Sequence, residues 1–269
     1  MVEKVFEEER QSSSQHLLSL ENAKQIICYP EYQVPNEECY RRIEQLRKEG
    51  AKYLISMGKV KIGKINILGK GHAGIISAAL LKNGKIVAIK IRRFDSKRKS
   101  LEREAILQHI AALAGVAPSI YVFSKDFIVM DLIQGISFGE YLERKYRECN
   151  KDYIFLAIKS LIEKTFVLDC IGIEHQELSN PQRQVMIQNY DPRKIFILDY
   201  ESAKYTSKTS NITSIIGFII GRGRKYFHLN NNDLRILIGL SRTYKKTLDI
   251  SRRYTILNRL IDILNKCHG

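Results

Sequence analysis

The sequence predicts an α+β protein: a five-stranded antiparallel sheet, preceded by a helical extension and followed by a mostly helical half. Three observations predict it. Residues 64–90 read as strand, glycine turn, strand, tight hairpin, strand. Two further β-prone runs, Ser119 to Phe123 and Phe127 to Leu132, complete the sheet after one intervening helix. Beyond Gly135 the apolar spacing is mainly helical. The predicted organisation is a flexible N-terminus over 1–15, a helical extension over 16–58, a sheet lobe over 59–133 and a reduced helical lobe over 134–269.

Composition narrows the class. A chain of 269 residues can bury a sizeable core as one bilobal unit or two small domains. Lys and Arg number 44 against 29 acids, a net charge of +15, and residues 203–269 alone hold 13 basic and 3 acidic residues. Such a C-terminal quarter favours acidic partners, RNA and ribonucleoprotein included, or is simply a solvated face. The five cysteines, Cys28, Cys39, Cys149, Cys170 and Cys267, show no Cys-x-x-Cys spacing. That argues against a zinc site or a secreted disulfide framework and suits a reducing cytosol. No apolar run approaches the length of a membrane span, so a cytoplasmic protein without a membrane partner is expected.

In order along the chain, Leu17 to Ile27 is a short helix candidate with Leu20, Ala23 and Ile27 at helical spacing. Asn36 can cap a second helix over Glu37 to Lys48 that stops at Gly50. The glycine turn then carries Gly69, Lys70, Gly71, His72, Ala73 and Gly74. Gly-x-Gly-x-x-Gly is also a dinucleotide fingerprint, but that motif must open a helix, and here a strand follows. Asn83-Gly84 signals a type I′ hairpin leading into Ile86-Val87-Ala88-Ile89-Lys90. Glycines allow backbone to lie against phosphate oxygens, and a strand-borne ammonium at Lys90 can reach the same phosphates.

A helix over Leu101 to Ala114, capped by Ser96 or Ser100, shows a stripe of Ile106, Ile110 and Leu113. Glu104 and Glu102 are both candidates to hold Lys90, with Glu104 sharing a face with Leu107 and Ala111. Gly135 lets the chain leave the sheet, and Ser137-Phe-Gly-Glu140 is a capping box. A long helix, Asp152 to Ile171, ends at Gly172. His175-Gln176-Glu177 follows, then a β-pair over 185–187 and 195–198 that delivers Asp199. Two amphipathic helices close the chain, with Leu237, Leu240, Leu257, Leu260 and Leu264 among their apolar positions.

These segments together resemble a known family. Cys28-Tyr29-Pro30, Leu68 through Gly74, Val87-Ala88-Ile89-Lys90 with Arg92 and Arg93, Glu104-Ala105, His175 through Ser179, Leu198 through Ala203 and Asn211-Ile212-Thr213 are similar to the predicted archaeal serine/threonine protein kinases. Those form an atypical, RIO-related group of the protein-kinase-like superfamily. The resemblance implies a bilobal protein-kinase-like fold, ATP with Mg²⁺ or Mn²⁺, and transfer to a Ser or Thr hydroxyl. It implies phosphate contacts from Gly69 to Gly74 and from Lys90, with Glu104 orienting Lys90. Ala88 and the hinge Met130, Asp131, Leu132 and Ile133 would meet the adenine. Asp199 and Gln182, or nearby Asn180, would hold metal, and Glu177 would serve as catalytic acid-base.

Two positions depart from the ordinary kinase pattern, Glu177 for Asp and Gln182 for Asn. Each adds a methylene, roughly 1.5 Å of reach. A misplacement of about 1 Å can cost on the order of a hundredfold in rate. No Ala-Pro-Glu follows Asp199, so the peptide-docking platform is reduced. Other readings of the same residues are transfer to a small molecule, an ATPase switch, or a nucleotide-binding pseudokinase docking on RNA or ribonucleoprotein.

Overall fold

The computed structural model describes residues 17–267, and the predicted flexible segment 1–15 lies outside them. Within the described residues the chain divides into two compact units, one of 17–105 with 119–132 and one of 106–118 with 133–267. Both mix strands and helices, and the class is α+β.

In the first unit β1 (Leu17–Ser19) leads through α1 (Lys24–Ile27) and α2 (Asn36–Lys48) to β2 (Ala51–Ile55). A small separate hairpin, β3 (Val60–Ile62) with β4 (Ile65–Ile67), precedes β5 (Gly69–Lys70), β6 (Gly74–Leu81) and β7 (Ile86–Arg92). Then comes α3 (Glu102–Leu113), whose residues from 106 on belong to the second unit, and β8 (Ile120–Phe123) and β9 (Phe127–Asp131) return to the first. The main sheet has the order β1-β2-β6-β7-β9-β8, and β5 also pairs with β6. Seven strands therefore replace the expected five. The difference lies mainly in the predicted helical extension, where Leu17–Ser19 and Ala51–Ile55 are paired strands and helix starts only at Lys24; Ile65–Ile67, expected in the sheet, pairs instead with Val60–Ile62, and Gly69–Lys70 takes its place beside β6. Cys39, Ile43 and Leu46 of α2 pack with Leu54, Val87, Ile89 and Phe127 in one buried cluster. Removing the fully buried Leu54 side chain would cost roughly 2–5 kcal/mol.

Local details correct the sequence reading. The β6–β7 turn has positive φ at Gly84 alone, with Gly84 N bonded to Leu81 O at 3.0 Å and Leu81 N to Lys85 O at 2.9 Å. This is a type I turn followed by a left-handed glycine, a three-residue loop instead of type I′, and Asn83 contributes by accepting from Lys85 N at 3.0 Å. Asn36 is the first residue of α2, not its cap, and its carboxamide accepts from Lys24 Nζ at 3.2 Å. On α3 the predicted stripe of Ile106, Ile110 and Leu113 is exposed, while Ala105, Leu107, Gln108 and Ala111 are buried. Small residues let that face pack closely, so the larger apolar residues point outward.

The cysteine reading is also corrected. Cys28 and Cys39 form a disulfide with a Cα–Cα distance of 5.5 Å, whereas Cys149, Cys170 and Cys267 are free. The chain reversal between α1 and α2 creates the approach, which spacing in sequence does not reveal.

The second unit continues with β10 (Gly135–Ser137), α4 (Phe138–Arg147) and the long α5 (Lys151–Cys170). β11 (Ile173–Glu174), α6 (Pro181–Gln184), β12 (Val185–Gln188), β13 (Ile195–Ile197) and β14 (Lys204–Tyr205) follow, and α7 (Asn211–Ile220), α8 (Asn231–Lys246) and α9 (Ile250–Cys267) complete it. β10, β12 and β13 form one antiparallel sheet, and β11 pairs with β14. Gly135 starts β10 instead of ending the first sheet. An added Cβ would lie 1.9 Å from the Ile187 carbonyl oxygen, so glycine permits the β10–β12 approach. Ile154, Ile158, Leu161, Ile162 and Leu168 bury the inner face of α5 against Ile215, Leu237, Leu257 and Leu260. Ser137 and Glu140 form the capping box of α4. Among the described residues no helix is long and apolar enough to cross a membrane.

Candidate functional site

In the first unit β5 and β6 pair Gly69 with Ile76 and Lys70 with Ile75, closing the glycine loop between them. Inside it Gly71 N donates to Gly74 O at 2.8 Å. A Cβ on Gly74 would lie 3.0 Å from Ile91 O and 3.1 and 3.2 Å from Lys90 Cγ and Cε. Glycine at this position leaves room for the Lys90 stem beside the loop. Lys90 and Glu104 are 5% and 4% exposed, and Lys90 Nζ lies 2.5 Å from Glu104 Oε1. Glu102, the other acid considered, is exposed and accepts from Ser100 Oγ at 2.9 Å. Burying two charges costs several kcal/mol per ion, which their attraction offsets only in good geometry. A buried Lys–Glu pair beside a glycine loop is thus better explained by what the ammonium can bind than by stability.

The adenine-edge candidates lie on neighbouring strands. Ala88 is buried on β7 opposite Met130 of β9, and Val87 pairs with Asp131. Asp131 donates its backbone N–H to Ser119 O at 2.9 Å, and its carboxylate accepts from the Tyr121 hydroxyl. Leu132 closes the first unit, and Ile133 is buried in the second.

The second unit gathers Glu177, Gln184, Ser202 and the strand that delivers Asp199. Glu177 is half-buried; Ser202 Oγ donates to its Oε1 at 3.0 Å and Gln184 Nε2 donates to its Oε2. Gln184 O accepts from Leu198 N at 2.7 Å, tying the turn that bears Gln184 to the residue before Asp199. Asp199 has φ +61°, a left-handed conformation costing roughly 1–2 kcal/mol in a residue with a Cβ. Such conformations cluster at functional sites. His175 is buried, and its Nε2 lies 2.9 Å from Leu198 O. A carbonyl can only accept, which puts the proton on Nε2. The Tyr200 ring stands edge-on to the imidazole at 5.2 Å. Burial pushes the Tyr200 hydroxyl far above the usual phenol range, so it stays protonated.

A buried scaffold holds this loop. His175 N donates to Asn211 Oδ1 at 2.8 Å, and Asn211 Nδ2 donates to Ile173 O at 2.7 Å and to Asp169 Oδ1 at 2.8 Å. Asp169, on α5, also accepts from Asn211 N at 2.9 Å and from the Tyr244 hydroxyl at 2.7 Å.

Gln182 sits elsewhere. It packs on Gly139 and lines a surface depression of about 440 Å³ with Glu140, Glu143, Arg144 and Arg147. The kinase pattern puts the metal-binding amide five residues after Glu177, at Gln182, but the short helix α6 turns Gln184 toward Glu177 instead. Gln184 immediately precedes β12, and the apolar run Val185-Met186-Ile187 was the signal that could have located it. Ser202 falls in the Leu198 to Ala203 segment without a role assigned to it, and nothing comparable in the sequence marks Asp169. Among the described residues no group of three or more His, Cys, Asp or Glu converges as a metal centre. The donor types named from the sequence, the Asp199 carboxylate and a side-chain amide, suit a hard cation that shares its shell with phosphate oxygens and water, as Mg²⁺ does.

No protein-family model matches the chain. The chain is similar to uncharacterized protein MJ1211 of Methanocaldococcus jannaschii, 27% identical over 114 residues, which are 40% of this chain and 95% of that protein.

Proposed function

We propose that the protein is an ATP- and Mg²⁺-dependent atypical serine/threonine kinase, related to the RIO group, that phosphorylates itself or another protein. The observation that carries this reading is the buried Lys90–Glu104 pair beside the glycine loop. The bilobal protein-kinase-like fold is part of this proposal. Gly69 to Gly74 cover the phosphates with backbone N–H groups, Lys90 holds phosphate oxygens, and Glu104 fixes the ammonium. The Met130 to Ile133 segment and Ala88 take the adenine. A bound Mg²⁺ would supply charge neutralisation at the phosphoryl oxygens. Asp199 would bind it, with Gln184 the preferred amide in place of Gln182. The carboxylate of Glu177 can only accept, so the Gln184 NH₂ faces it and leaves the carbonyl oxygen for a cation. Glu177 orients or accepts the proton of the attacking hydroxyl.

A second reading, a nucleotide-binding module that docks on RNA, has two observations in its favour. Both oxygens of Glu177 already accept protein hydrogen bonds, while Arg242, Lys245, Lys246, Arg252, Arg259 and Lys266 of α8 and α9 are exposed.

Incubation with γ-labelled ATP and Mg²⁺ separates these readings. The kinase reading expects label on protein Ser or Thr, lost by about a hundredfold or more in Lys90→Ala and in Asp199→Ala. Gln184→Ala should lower transfer more than Gln182→Ala. Absence of label, together with salt-sensitive RNA binding that survives Lys90→Ala, would replace it with the docking module.

A further inference from the structure

The glycine loop is held from outside by a residue that neither the strand pattern nor the proposed chemistry uses. Tyr29 directly follows Cys28, whose disulfide to Cys39 ties it to α2. The Tyr29 carbonyl accepts from Phe94 N at 2.8 Å. Its half-buried ring meets two cations. Lys70 Nζ donates to the Tyr29 hydroxyl at 2.5 Å and lies 4.5 Å from the ring centroid, and Arg93 Cζ lies 5.3 Å from the same centroid.

Arg93 in turn holds the loop backbone at two points. Its Nη1 donates to Gly71 O at 2.9 Å and its backbone N–H to Ala73 O at 2.9 Å. Asp95 fixes the other edge of the guanidinium at 2.7 Å. Lys70, Gly71 and Ala73 are therefore all restrained by the Tyr29–Arg93 pair. A glycine-rich segment otherwise loses much conformational entropy when it orders around a ligand. A loop ordered before binding avoids that loss and binds more tightly.

We propose that Tyr29 is a positioning residue that, through Lys70 and Arg93, pre-orders the glycine loop for a nucleoside triphosphate. The proposal rests on the nucleotide reading of the loop. Tyr29 acts on the phosphate end of the ligand and leaves recognition of the base unchanged.

Calorimetric titration of the full chain with ATP and with adenosine, each in the presence of Mg²⁺, tests it. Tyr29→Leu should weaken ATP binding about tenfold, the scale of one cation–π contact plus one charge-assisted hydrogen bond, with adenosine affinity unchanged. Tyr29→Phe keeps the ring for Arg93 and loses only the hydroxyl, so about a threefold loss is expected, and it serves as the test if Tyr29→Leu fails to fold. Unchanged ATP affinity in both variants would overturn the proposal, as would equal losses for ATP and adenosine. A second readout needs no ligand: hydrogen exchange at the Gly71 amide, bonded to Gly74 O, should speed up about tenfold in Tyr29→Leu and about threefold in Tyr29→Phe. If the wild-type chain bound no adenine nucleotide, the kinase reading would fall while exchange still decided whether Tyr29 orders the loop. Unaltered exchange would overturn the proposal.

Discussion

Asp126 in the first unit and Asp169 in the second are both buried, at 0% and 5% exposure, yet their partners differ in kind. Asp126 is met by three guanidinium groups, Arg41 at 2.5 Å, Arg42 at 3.1 Å and Arg92 at 2.7 Å, with Glu38 bridging Arg41 and Arg42 from the other side. Asp169 is met mainly by neutral donors, the Asn211 amides, Ile212 N and the Tyr244 hydroxyl. The titrations follow. Burial pushes Asp126 upward, but the Arg41 hydrogen bond, the Arg42 charge and Arg92 outweigh it, and the carboxyl sits below its usual range. For Asp169 burial is the largest influence and the neutral donors do not overcome it, so the carboxyl is pushed up. Charge compensation, not hydrogen-bond number alone, decides whether a buried carboxylate is comfortable ionised.

The sharpest way to break the comparison is to remove each charge. Asp126→Asn removes the carboxylate that all three arginines share, and loss of about 3–5 kcal/mol in unfolding free energy is expected from denaturant titration. Asp169→Asn should cost less, about 1–2 kcal/mol, because its retained carbonyl still accepts from Asn211 and the Tyr244 hydroxyl can turn to accept from the new amide, leaving the Ile212 N–H as the donor that loses its acceptor. Equal losses would show that both carboxylates depend on charge.

The disulfide gives a second contrast, since among the described residues it occurs in the first unit and the second has free cysteines. With a sequence separation of 11, chain entropy predicts that Cys39→Ser lowers stability by about 3 kcal/mol in oxidised protein. In protein already reduced with a dithiol the same substitution should cost less, because only the burial of a hydroxyl in the apolar cluster around Cys39 remains. Thermal unfolding under both conditions measures the difference.

Acid titration sharpens the comparison further. Arg41, ahead of burial and Arg42, holds Glu38 down from 4.5 to about 2. A depressed folded pKa contributes stability that is present above the unfolded value and lost as pH falls through the folded one. The Glu38→Gln difference should therefore be full at pH 6, shrink below about 4.5 and vanish near 2. Asp169 has the opposite sign. Its raised carboxyl is more easily ionised in the unfolded chain, so its contribution falls as pH rises from 3.8 through its folded pKa. A Glu38→Gln difference that did not change with pH would remove the electrostatic account of that cluster.

What the sequence revealed and concealed follows the same division between local and distant partners. The glycine turn, the hairpin into Lys90, the capping box at Ser137 and the inner face of α5 are written in adjacent or helically spaced residues. The pairing of Asp169 with Asn211 spans 42 positions, and that of Arg42 with Asp126 spans 84. No periodicity encodes such partners. Glu177 shows the intermediate case, where a count along the chain selected Gln182 but one turn of helix moved Gln184 into contact.

The smallest expected effect belongs to α3, where side-chain size misled the pattern. Ile106, Ile110 and Leu113 have helical spacing, yet Leu113 is 78% exposed, while Ala111 on the other face is fully buried. Leu113→Lys removes almost no buried apolar area, so stability should change by no more than about 0.5 kcal/mol. Ala111→Leu adds a branched side chain to a packed interface and should cost about 1–3 kcal/mol. Denaturant midpoints for the pair decide the facing of the helix that carries Glu104. If Leu113→Lys proved the more damaging, Glu104 would be turned away from Lys90, and the ion pair on which the nucleotide reading rests would be lost with it.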